Sequence, residues 1–104
     1  MNKRLQVLLE SLRKLLRRNA FERVEKVLSK TRCEDVASIM RYLDAQQRQQ
    51  VFDLLENDEA RAETLAELDE HIFLEIVEKR PVDKMATIVQ YMNVDDQALS
   101  LIHI

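Results

Sequence analysis

Apolar residues recur along this chain at spacings of three and four, the period of a helix with one buried face. Leu5, Leu8, Leu9, Leu12, Leu15 and Leu16 make the first stripe and predict a helix over about residues 2–18, with Lys14, Arg17 and Arg18 on its wet side. That cationic last turn suits the negative end of the helix dipole. Asn19, followed three residues later by Glu22, fits a reciprocal N-terminal cap for a second helix carrying Phe21, Val24, Val27 and Leu28. Thr31 with Glu34 repeats the device ahead of Val36, Ala37, Ile39, Met40 and Leu43. Asp44 then offers its carboxylate to the start of a fourth helix (Val51, Phe52, Leu54, Leu55), Asp58 to a fifth (Ala62, Leu65, Leu68) and Asp69 to a sixth (Ile72, Phe73, Ile76, Val77). Pro81, at a first-turn position, starts a seventh with Met85, Ile88, Val89 and Met92, and Asn93 caps an eighth with Ala98, Leu99, Leu101 and Ile102.

Three of these stretches are copies of one another. Ala37-Ser38-Ile39-Met40-Arg41-Tyr42-Leu43-Asp44, Ala62-Glu63-Thr64-Leu65-Ala66-Glu67-Leu68-Asp69 and Ala86-Thr87-Ile88-Val89-Gln90-Tyr91-Met92-Asn93 superimpose at offsets of 25 and then 24. Small Ala lets helices approach, the apolar positions fill the seam, and the closing Asp or Asn caps the next helix, so each unit is a helical hairpin too small to bury its own apolar face. The expected fold is therefore all-α, a right-handed superhelix of stacked hairpins of the armadillo kind. A basic amphipathic helix over 1–18 leads the repeats of 19–104 within a single domain of 1–104.

Composition removes most enzymes. The chain of 104 residues has no Gly, one Pro and one Cys, so it can build neither a phosphate-cradling loop nor a dinucleotide-binding turn. None of its four serines sits with a His and a carboxylate in a nucleophile motif, and no enzyme is expected. Cys33 has no partner for an internal disulfide, and the leucine-rich start is broken by Gln6, Glu10, Ser11, Arg13 and Lys14, which argues against a signal peptide or a membrane span and for a cytoplasmic location. Charge is segregated: residues 1–30 carry nine Lys/Arg and three acids, net +6, whereas residues 31–104 are net −9. Either the basic start lies against the acidic remainder, or each end meets a different partner.

The runs Glu34 to Leu43, Gln47 to Leu55, Ala62 to Asp69 and Met92 to Leu101 together resemble the intracellular N-terminal domain of MgtE-type magnesium transporters over about residues 10–102. The most telling piece is Met92-x-x-Asp95-Asp96-x-Ala98, similar to the family's acidic stretch, with Asn93 and Val94 where Asp and Pro are common. Similar helical repeats occur in the flagellar motor switch protein FliG. The resemblance implies a regulatory domain that binds Mg²⁺ weakly through Asp95 and Asp96, shares the ion with an adjoining pair of CBS domains, and helps close the pore when magnesium is plentiful. It implies the CBS pair as partner, with a homodimer as a further option and neither nucleic acid nor direct membrane insertion of this segment. The alternative is a free-standing adaptor of the FliG kind, binding another protein.

Blander readings compete with each candidate. Asp95 and Asp96 in a first helical turn also serve unpaired N–H groups. Glu56, Asp58, Glu59 and the Asp69-Glu70 pair belong to a solvated acidic face, and His71 with Glu75 is too thin for a zinc site when His103 is the only other imidazole. Cys33 reads as an inert, partly buried thiol and Tyr42 and Tyr91 as covers over the seams. The basic first helix reads as a solvated face, or as docking on an acidic surface in preference to phosphate.

Overall fold

The computed structural model describes residues 2–92. These form seven helices and, among the described residues, no strand: α1 (Lys3–Arg17), α2 (Phe21–Ser29), α3 (Cys33–Met40), α4 (Ala45–Leu54), α5 (Asp58–Glu67), α6 (Glu70–Glu78) and α7 (Val82–Val89). The fold is all-α, as the 3.6-residue period requires. The eighth helix expected after Asn93 lies outside the described residues.

The odd helices pack in series, α1 on α3, α3 on α5 and α5 on α7, while α2, α4 and α6 form a second row in the same order. Two rows of helices enclose one continuous core in which Leu12, Val24, Val36, Ile39, Met40, Val51, Phe52 and Ile76 have no exposed surface. The three copied segments hold corresponding places but differ in detail: the helix stops at Met40 and Val89 in the first and third copies and runs two residues further, to Glu67, in the second. Each closes an odd helix and turns a corner on a buried or half-buried Leu43, Leu68 or Met92, and Asp44 and Asp69 then cap α4 and α6. Thr64 falls where the other copies have Ile39 and Ile88; it is fully buried, and its hydroxyl donates to the Ala60 carbonyl at 2.8 Å, which satisfies it.

Several caps differ from expectation. Asn19 does not cap α2: its backbone is left-handed (φ 56), and it closes α1, with the Ala20 N–H bonding to the Leu15 carbonyl at 2.9 Å and the Asn19 N–H to the Leu16 carbonyl at 3.1 Å. This is the glycine position of a helix C-terminus, filled by Asn in a chain that has no Gly. Thr31 does not cap α3: Arg32 holds the cap position with no side-chain bond, and the Thr31 hydroxyl turns back to donate to the Val27 carbonyl of the preceding helix at 2.7 Å. Asn57, one residue ahead of Asp58, caps α5 by accepting from the Ala60 N–H at 2.8 Å, which frees Asp58 to pair with Arg61. Pro81 is the cap residue of α7 and not its first-turn residue. Tyr42 and Tyr91 do not cover the seams; they stand 50% and 55% exposed.

The remaining corners are closed by arginine. Carbonyls left over at a helix end need donors, and a guanidinium supplies five. Arg48 donates to the Met40 and Leu43 carbonyls at the end of α3, and Arg61 to those of Phe52, Asp53 and Leu55 at the end of α4. Arg80 lies over the Phe52 ring at 4.5 Å and binds Asp53 and Gln49.

Candidate functional site

Carboxylates are spread over the chain, and the fold gathers some of them. Glu56, Glu59, Glu63 and Glu67 recur at spacings of three and four, so α5 and the corner before it present them as one exposed stripe. Glu34 of α3 lies alongside. Two shallow adjoining grooves run along this stripe. One of about 340 Å³ is bordered by Arg32, Cys33, Glu34, Glu56, Glu59 and Glu63. The other, of about 350 Å³, takes in Glu34, Ala62, Glu63, Glu67, Tyr91 and Met92. Glu63 and Glu67 lie within α5, away from the helix junctions where capping carboxylates stand out in the sequence; their 3-4-4 spacing with Glu56 and Glu59 is the signal the sequence carries for them.

The residues singled out by sequence fare unequally. Asp95, Asp96 and His103 lie outside the described residues. Glu56 and Glu59 belong to the acidic stripe. Asp58 is held by Arg61 at 2.8 Å. Asp69 caps α6 by accepting from the Ile72 N–H at 3.0 Å and stands 3.9 Å from Arg41, with Glu70 next to it in the first turn of α6. His71 is exposed, but Glu75, its supposed partner, faces Arg48 through two bonds of 2.8 and 3.3 Å, so the pair is no half-site for a transition metal. Cys33 is half-buried with its thiol 3.6 Å from the Ala60 carbonyl. Burial pushes its pKa up and the neighbouring Glu63 and Glu34 carboxylates add to this, so the group stays a neutral thiol.

Among the described residues, no three of His, Cys, Asp and Glu converge closely enough to hold a metal ion. What the acidic face offers is hard oxygen donors, singly or in pairs, which fits a hydrated Mg²⁺ whose remaining ligands are waters or another surface. No helix among the described residues is long and apolar enough to cross a membrane.

The cationic start is placed quite differently. Arg4 reaches Asp35 at 3.2 Å and Arg13 donates to the Tyr42 carbonyl. Lys3, Lys14, Arg17, Arg18, Arg23, Lys26 and Lys30 are exposed, and their side chains make no ion pair or hydrogen bond among the described residues. Among the described residues, the basic start meets the acidic remainder through Arg4 and Asp35, while most of its cations face away from it.

No curated protein and no solved structure gives a significant match. The family model described as the MgtE intracellular N domain matches residues 31–103, from the corner before α3 onward and across most of the chain. A match over more than half of the chain shows the family: the chain belongs to the MgtE intracellular N domain family.

Proposed function

We propose that this chain is the regulatory domain of a magnesium transporter, a right-handed superhelix that senses Mg²⁺ through Asp95 and Asp96 together with an adjoining pair of CBS domains. The observation that carries the reading is the family match over residues 31–103, which spans the acidic stretch at 92–96. Physical support comes from the donors. A carboxylate surface without a complete cage binds Mg²⁺ feebly alone and better when a second acidic surface supplies the missing ligands. Two such faces repel in the absence of the ion and close in its presence, and the difference in ion affinity between the two arrangements drives the switch. Bound Mg²⁺ supplies the positive charge that offsets this repulsion. Asp95 and Asp96 would hold it, and the stripe from Glu56 to Glu67 raises the local cation concentration.

The test is a titration of the chain joined to a CBS pair. Millimolar Mg²⁺ is expected to compact the pair in small-angle scattering, and Asp95→Ala with Asp96→Ala to weaken the response. An unchanged response would remove these two residues from the site. The gene sequence beyond Ile104 separates this reading from the adaptor: CBS modules and apolar spans support the transporter, and a stop codon supports a free-standing protein.

A further inference from the structure

Lys14, Arg17, Arg18 and Arg23 flank the corner where α1 turns into α2, within ten residues of sequence, all exposed and with Glu22 as the one carboxylate among them. Intramolecular electrostatics accounts for only part of this cluster. Lys14 and Arg17 suit the C-terminus of α1, but Arg23 stands in the first turn of α2, the positive end of that helix, across the corner from two like charges. Elsewhere the chain engages its arginines: Arg32 with Glu34 and Asp35, Arg41 with Asp69, Arg48 with Glu75, Arg61 with Asp58 and Arg80 with Asp53. Four unengaged cations at one corner, in a molecule with acids to spare, face outward to something else.

The partner's shape follows from the distribution. A nucleic acid tracks a continuous cationic groove and stacks bases on aromatics; here the cations give way to a net −9 remainder, and Phe21, the only aromatic of the first 30 residues, packs on the core. A flat anionic surface touches one end alone. The described residues span 35 Å, and with a Debye length of about 8 Å at physiological salt the far acids are screened from such a surface. The α1 leucines are committed to the core, so contact is with headgroups and without insertion.

We propose that Lys14, Arg17, Arg18 and Arg23 form a docking face for an anionic phospholipid surface. That a membrane lies within reach rests on the transporter reading above, whereas the contact itself needs only the chain and the lipid.

The experiment is co-sedimentation of the full 104-residue chain with vesicles of phosphatidylcholine, alone or mixed with phosphatidylglycerol, in magnesium-free buffer across a salt series. Binding is expected only to the mixed vesicles and to fall as salt rises, while free glycerol phosphate leaves it unchanged. Arg17→Ala with Arg18→Ala lowers the partition coefficient about 30-fold, at roughly fivefold per cation. Arg17→Lys with Arg18→Lys retains binding, and Lys79→Ala with Lys84→Ala leaves it untouched. All these positions are exposed, and unchanged thermal melts verify folding. Four results each overturn the proposal: no sedimentation with mixed vesicles at low salt, equal binding by the alanine pair, retention of single-stranded RNA at salt that releases the vesicles, or salt-sensitive self-association abolished by the alanine pair, which would seat the acids of a second copy there. Because magnesium is absent, failure here leaves the ion titration standing, and failure of that titration leaves this result readable.

Discussion

Asn19 shows how a single residue can satisfy two sequence rules and obey only one. Asn favours both the start of a helix and the left-handed residue after a helix, and at a corner between two helices local sequence does not choose between them. The backbone at φ 56 chooses the second. Asn19→Ala is therefore expected to lower stability by about 1 kcal/mol and Asn19→Gly to preserve or raise it, read from urea midpoints at constant slope. An N-cap role would make Asn19→Gly cost stability as well, by a few tenths of a kcal/mol, so a raised midpoint for the glycine variant marks the left-handed role. At Cys33 the raised pKa means the folded state favours the neutral thiol. Its contribution to stability is whole below the ordinary thiol value of 9.0 and is lost as pH climbs through the raised one. Alkylation at pH 8 should accordingly be slower in the folded chain than in urea; equal rates would show the thiol to be open.

At the scale of the element, helix periods and the repeat were legible because they depend on neighbours three, four and twenty-five positions away in sequence. Asp44 with Gln47 illustrates the success: the reciprocal cap at the start of α4 is present in full, at 2.8 and 3.2 Å. The arginine ties were not legible, since a guanidinium on one helix chooses carbonyls by shape and not by sequence. A trace existed even so. Arg48 meets Glu75 and Arg80 meets Asp53 across 27 positions, one repeat plus a small slip. Arg48 and Glu75 are only 15% and 19% exposed, so removing the arginine strips a mostly buried carboxylate of its partner and the Met40 and Leu43 carbonyls of a donor, although Met40 keeps the Leu43 N–H. Arg48→Met is expected to cost about 3 kcal/mol, and Arg48→Lys to recover less than half of it, because an ammonium cannot serve the forked geometry; thermal melts of both variants decide.

For the whole molecule, the family match begins at residue 31, whereas the packed ladder begins at Lys3. Leu9, Leu12, Leu16, Val24 and Leu28 belong to the same core as Val36 and Ile39, so α1 and α2 act as the end cap that stacked repeats require. A chain shortened to start at Thr31 should melt at lower temperature, with a broader transition, and bind a hydrophobic dye. An unaltered melt would make the first hairpin an independent appendage. The acidic stripe on α5 was latent in the spacing from Glu56 to Glu67, while the charge segregation was plain from the residue counts and its meaning was not. Only the three-dimensional placement shows that Arg4 pairs with Asp35 while Lys14, Arg17, Arg18 and Arg23 stay exposed and unpaired among the described residues.

The guanidinium ties also bear on how such a stack comes apart. Rungs joined only to their neighbours by apolar seams would fray inward from either end, one after another. Here polar ties reinforce the seam between α4 and its neighbour α6, so fraying that sets in at either end meets its firmest join midway along the stack.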